Sequence, residues 1–236
     1  MKIARRLRKI LLSGLLCGLT VAGCASLPND KSSAFVRVRR SFVSGGKTIL
    51  VDVYTPSSGG LHPPVLVLHG AGGMLFDGPE MSRVARALAS ADFTVYQVHY
   101  FDRTNTWFAR QAVLLKLFPT WGGTVHDAVE WVRSVSARGQ SIGIFGYSLG
   151  VFAAIEEARR NPTIGAVAEE AGGFWQGHPE GPTRQPLPPI LVIHGTADTR
   201  VPEAKYTEPL IAYLRAHDDL FEKSFYPGEG HVFSAA

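Results

Sequence analysis

Five short apolar runs constrain this chain more than any other feature: Val65 to Leu68, Phe93 to Val98, Ser141 to Phe145, Ile164 to Ala168 and Ile190 to Ile193. None alternates apolar with polar residues, so none suits a strand with one wet face; such runs fit strands buried on both sides, as in a parallel sheet. Parallel neighbours need long crossovers. Amphipathic helix patterns fill the gaps at Pro79 to Ala91, Thr124 to Ala137, Leu149 to Arg160 and Pro202 to His217. Two alternating segments, Val36 to Val43 and Thr48 to Tyr54, flank Ser44-Gly45-Gly46 and predict an antiparallel hairpin, and Glu222 to Tyr226 predicts a last strand. The expected class is α/β, a mostly parallel twisted sheet of about eight strands with helices on both faces. At roughly 150 residues per domain, a single domain over residues 35–236 accounts for the chain. Ligands of such sheets bind at the carboxyl ends of the strands, so the chemistry is expected just after them.

Charge is unevenly spread. The formal net charge is +4, but five of the 24 basic residues (Lys2, Arg5, Arg6, Arg8, Lys9) lie in the first nine positions; beyond residue 23, nineteen cations meet 20 acidic residues, net −1. A domain so balanced lacks the basic face a nucleic acid needs, and no nucleic-acid partner is expected. The basic start runs into a 13-residue apolar stretch, Ile10 to Ala22, interrupted by Ser13, Gly14, Gly18 and Thr20. Crossing a bilayer takes about 20 apolar residues, so residues 1–23 have the layout of an export signal. Val21-Ala22-Gly23-Cys24 resembles a bacterial lipoprotein lipobox. That resemblance implies cleavage before Cys24, lipidation of its sulfur, and an exported domain held on a bacterial membrane. Ala25 after the cysteine resembles the pattern sorted to the outer membrane, facing the periplasm. Residues 24–34 would be a tether. Cys17 and Cys24 are the only two cysteines, so the domain would hold no disulfide, no thiol nucleophile and no thiolate metal ligand.

Gly146-Tyr147-Ser148-Leu149-Gly150 matches G-x-S-x-G and lies between a strand run and a helix pattern, where a tight turn would lift the serine hydroxyl above the sheet. A serine that only caps the helix is the alternative. A serine hydroxyl needs a base to take its proton, and the base needs an acid to hold its tautomer. Asp198 follows the run ending at Ile193, and His231 lies in a glycine-rich loop after the last strand, giving the order serine, aspartate, histidine. Glu169-Glu170, after another strand, offers a rival acid. His69 and His194 each precede a glycine at a strand end and are expected to orient loops. No pair of histidines has metal-ligand spacing.

These motifs resemble the α/β-hydrolase fold and, more narrowly, the dienelactone hydrolase-like family. The specific pieces are H-G-x-x-D-x-x-V-P at 194–202 and Y-P-G-x-G-H-x-F at 226–233. The resemblance implies Ser148 as nucleophile, Asp198 as acid and His231 as base. The family's namesake has a cysteine where this chain has Ser148, which points away from dienelactone and toward ordinary esters. Members of the family usually place a helix after the histidine; here only Val232 to Ala236 remain, so the C-terminal helix is expected to be missing. His69-Gly70-Ala71-Gly72-Gly73 resembles the H-G-G-G esterase loop, implying oxyanion donors at the amides of Leu149 and Ala71, with Gly72 as second choice for the latter. Tyr147, Phe101 and Trp175 are the candidate substrate-binding residues. Gly172 to Pro189 is too short and proline-rich for a large lid, so little or no cap is expected. The expected function is a serine hydrolase that cleaves small or medium carboxylic esters through an acyl-enzyme, with no cofactor and no metal. An acyltransferase with the same residues, or a non-catalytic binding protein on the same scaffold, is the alternative.

Overall fold

The computed structural model describes residues 34–175 and 186–233. The leader, Cys17, Cys24, all of the tether before Ala34 and part of the Gly172 to Pro189 segment lie outside the described residues. Eight strands run β1 (Phe35–Ser44), β2 (Lys47–Pro56), β3 (Pro64–Leu68), β4 (Thr94–Val98), β5 (Ile142–Tyr147), β6 (Ile164–Glu170), β7 (Ile190–Gly195) and β8 (Phe221–Tyr226). They form one sheet in the order β1-β2-β4-β3-β5-β6-β7-β8. From β4 to β8 every pairing is parallel, while β1 and β2 are antiparallel to each other and β2 to β4. The fold is that of an α/β hydrolase.

The hairpin turns where the sequence places it. Ser44 pairs with Lys47, and Gly45 and Gly46 both take positive φ (53° and 74°), the two-residue turn whose twist matches the strands it joins. β1 is the sheet edge, and its outward arginines discourage pairing with another chain. Two of them, Arg37 and Arg39, close on the buried Asp52 at 3.0 and 2.9 Å.

The helices are α1 (Gly73–Phe76), α2 (Gly78–Ser90), α3 (Gln111–Val135), α4 (Leu149–Arg160) and α5 (Glu203–Ala216), with a 3-10 turn at Tyr100–Thr104. In α2 the buried Met81, Ala85, Leu88 and Ala89 form one stripe that covers a face of the sheet with Val65, Val67 and Phe145. On the other face α3, α4 and α5 pack Trp121, Val125, Ile155 and Leu210 over Leu66, Ile144 and Val192. Helix α3 is a correction, because it starts thirteen residues before the expected Thr124 and carries Pro119 inside it. Proline costs about 3 kcal/mol in a helix interior, and tertiary packing outweighs that cost: Trp121 stacks on Phe101 at 4.1 Å and Phe118 on Trp175 at 4.1 Å. β8 closes the other edge with every residue partly or fully exposed. Among the described residues no helix is long and apolar enough to cross a membrane.

Candidate active site

β5, β7 and β8 run parallel and finish at the same end of the sheet, with β6 between β5 and β7, and each is followed by one reactive side chain that enters the same space. β5 passes through Gly146 and Tyr147 into Ser148, whose backbone takes φ 51° and ψ −116° before α4 starts at Leu149. A non-glycine residue in that region is strained. The strain is held because the Ser148 amide donates to the Glu170 carbonyl at 2.8 Å. The flanking glycines are needed for space rather than for unusual angles: a Cβ on Gly146 would stand 2.7 Å from the Gly150 carbonyl oxygen, and one on Gly150 2.5 Å from that of Leu68.

The loops after β7 and β8 are stitched together, since Thr196 donates its amide to Tyr226 at 3.0 Å and Ala197 its amide to Glu229 at 2.9 Å. That stitching brings His231 to Asp198. His231 Nδ1 lies 2.7 Å from Asp198 Oδ2, and His231 Nε2 lies 2.9 Å from Ser148 Oγ. Asp198 Oδ1 accepts the amides of Arg200 and Val201, both at 2.8 Å, which fixes the carboxylate's direction. An ionised carboxylate only accepts, so Nδ1 carries the proton and Nε2 is left to accept from the serine hydroxyl. All three residues are nearly buried, at 8%, 6% and 8% exposure for Ser148, Asp198 and His231.

Glu170 contributes its main chain to this arrangement, not a bond to His231. Burial, with Glu80 nearby, pushes its carboxyl up to about 7. Burial also pushes the neighbouring Glu169 up to about 8, although its Oε2 accepts the Gly172 amide at 3.1 Å. Leu149 occupies the first position of α4, where a helical amide has no acceptor within the helix. Ala71 and Gly72 lie in the loop after β3; the Ala71 carbonyl is tied to the Ala109 amide at 2.7 Å, and Gly72 precedes α1. His69 anchors that loop. Its Nδ1–H donates to the Gly70 carbonyl at 2.8 Å, its ring stacks on Tyr100 at 4.2 Å, and burial drives its pKa down to about 3, so it is a neutral wall. His194 is likewise buried and neutral, 3.1 Å from the Thr207 hydroxyl.

Of the three candidate substrate-binding residues, Tyr147 alone touches the reactive cluster: its hydroxyl donates to the His231 carbonyl at 3.2 Å. Phe101 lines a cavity of about 340 Å³ with His69, Met74, Leu75, His99 and Trp107. That cavity lies on the β4 side of the loop after β3, and Ser148 is not in its wall. Trp175 is placed elsewhere, in the core, stacked on Phe118 and edge-on to Phe152 at 5.3 Å. One residue near Ser148 carried no signal in the sequence. Asp77 stands just before a helix pattern beginning Gly78-Pro79, where aspartate ordinarily serves as a helix cap, yet its carboxylate lies against Gly70 and Gly72 of the β3 loop.

Similarity to known proteins agrees with this architecture. The chain matches the Dienelactone hydrolase family over residues 51–236. No curated protein matches it in sequence. Among solved structures it is similar to a dienelactone hydrolase-like promiscuous phosphotriesterase from metagenomic libraries, with TM-score 0.71 and 17% identity over 84% of each chain. A dienelactone hydrolase from Anabaena variabilis gives TM-score 0.65 and 20% identity, covering 85% of this chain and 90% of that one. An α/β serine hydrolase without lid from Xanthomonas campestris gives 0.62 and 17%, covering 88% and 89%. At such identities the structures speak for the fold alone, whereas the family match runs from β2 through the serine, aspartate and histidine loops. The chain therefore belongs to the dienelactone hydrolase family and is a hydrolase of the α/β-hydrolase fold.

Proposed function

We propose that this hydrolase cleaves carboxylic esters of small or medium size through an acyl-enzyme on Ser148. The observation that carries the reading is the unbroken chain from Ser148 Oγ through the His231 ring to Asp198, at 2.9 and 2.7 Å. In it His231 Nε2 takes the hydroxyl proton as Oγ attacks the ester carbonyl. The Leu149 and Ala71 amides receive the oxyanion, worth about 3 kcal/mol per donor where such donors have been removed. The tetrahedral intermediate collapses, the alkoxide leaves with the proton from His231, and a water activated by the same ring then releases the acid. Asp198 keeps the imidazole in the right tautomer and stabilises its cation.

The test is a panel of chromogenic esters of increasing acyl length, with wild type and Ser148→Ala. The reading expects turnover that falls by roughly 10⁴- to 10⁶-fold in the variant, because nucleophile and base act as a unit. Full turnover by a folded Ser148→Ala protein would refute it. We also propose, from the lipobox resemblance alone, that the enzyme works outside the cytoplasm, anchored through lipid on Cys24.

A further inference from the structure

Asp77 occupies the position before α2 where an aspartate normally accepts a helix amide, but among the described residues its side chain makes no capping bond. It turns instead toward the β3 loop. The Cβ that Gly70 lacks would stand 2.8 Å from Asp77 Oδ2, 3.0 Å from Tyr147 Cδ1 and 3.1 Å from Ser148 Cβ. Carboxylate and serine thus face each other across the width of one methyl group. A Cβ on Gly72 would run into the other carboxylate oxygen, so two glycines clear the space the carboxylate fills. Oδ2 is shut off from water and has no hydrogen-bond partner among the described residues. The Gly72 and Gly70 amides lie against the carboxyl and answer part of its charge, but burial outweighs them and holds its pKa above the ordinary carboxylate range.

The surrounding charges do little to cancel it. Arg200 is the permanently charged residue that acts on Asp77, with the His231 ring also near it. His231 Nδ1 is committed to Asp198 at 2.7 Å, and the Arg200 side chain belongs to an exposed residue, where solvent screens its charge. Tyr147, which meets the same point beside Gly70, feels the acidic groups of Asp77, Glu170 and Asp198 against Arg200 alone. The buried Tyr100 hydroxyl donates to the His69 carbonyl at 2.7 Å and brings no charge. The oxyanion is met by backbone amides; a second negative charge carried on the acyl chain meets carboxylates.

We propose that Asp77 sets the charge selectivity of the site: it admits ester chains that are neutral or cationic and turns away chains bearing a carboxylate. The inference rests on Ser148 being the nucleophile of an ester hydrolase. At an effective dielectric constant of about 20, two like charges several ångströms apart repel enough to separate rates by about tenfold or more.

Two measurements separate this inference from the reading beneath it. The first is the rate at which Ser148 is labelled by a neutral alkyl fluorophosphonate and by one of the same length ending in a carboxylate, which requires an activated serine but no ester turnover. The second is the turnover of p-nitrophenyl butyrate against the mono-p-nitrophenyl ester of glutaric acid. Wild type should take the neutral member of each pair at least about tenfold faster. Asp77→Asn should shrink the gap to about threefold or less, and Asp77→Ser should do the same should the asparagine variant fail to fold. Equal labelling of wild type by both probes, a preference for the anionic probe, or an unchanged ratio in a folded variant would overturn the inference. Probe discrimination that follows Asp77 in a protein that turns over neither ester would sustain it while removing the ester reading. A folded wild type that neither probe labels would end both.

Discussion

Asp198 and Glu170 compete on paper for one role, and the geometry separates them. Asp198 presents one oxygen to His231 at 2.7 Å while two amides hold the other. Glu170 lends the serine a carbonyl and keeps its carboxyl where burial raises the pKa to about 7. Asp198→Asn should therefore leave the fold intact and lower ester turnover by about 10⁴-fold through the wrong tautomer, with Glu170→Gln costing far less. Steady-state rates on both variants, each shown to be folded, decide it, and the reverse ranking would move the acid to Glu170. Ser148, Asp198 and His231 were legible in the sequence because each sits in a short string whose glycines announce a tight loop after a strand. Asp77 was not, since an aspartate before a helix has an ordinary explanation, and only the empty Cβ positions of Gly70 and Gly72 reveal where its carboxylate goes. The packing of Trp175 was hidden for a different reason: its stacking partner, Phe118, lies far off in sequence, so no local pattern shows the contact.

At the scale of elements, strands and helices that carry a clean apolar period were readable, and those held by partners distant in sequence were not. The five buried strand runs appear within a residue or two of expectation. The first half of α3 did not, because Pro119, Gly122 and Gly123 break the local signal that Trp121 restores by packing on Phe101. β6 carries a cost that its pattern also hid, a fully buried glutamate. Glu169 has 0% exposure and a pKa pushed by burial from 4.5 to about 8. The folded state thus keeps a proton that the unfolded state releases above pH 4.5, so the associated stability is complete below that value and is lost as pH rises through about 8. Between pH 5 and pH 9 the wild type should lose about 4 kcal/mol more than Glu169→Gln. Urea unfolding at the two pH values measures the difference, and parallel losses in both proteins would show that Glu169 does not titrate as described.

Across the whole molecule the two ends of the sheet have separate duties. Phe35 pairs with Pro56 at the edge where the parallel strands begin, whereas Ser148, Asp198 and His231 follow strand ends at the other edge. A lipid on Cys24 would be ten residue steps from Ala34, at most about 35 Å when extended. It would join the domain on the side away from the reactive cluster. On that proposal Cys24→Ser should shift the protein from the membrane to the soluble fraction or leave its leader uncut. Fractionation with mass analysis of the N-terminus checks this, and an unmodified wild-type protein in the cytoplasm would refute it. The central claim, that Ser148 is acylated during turnover, is tested most directly by quenching the wild type in acid during hydrolysis of p-nitrophenyl acetate and mapping the adduct by mass spectrometry. The account predicts one acetyl group on the peptide containing Ser148, absent from Ser148→Ala. Turnover with no acyl adduct, or with the adduct on another residue, would contradict it.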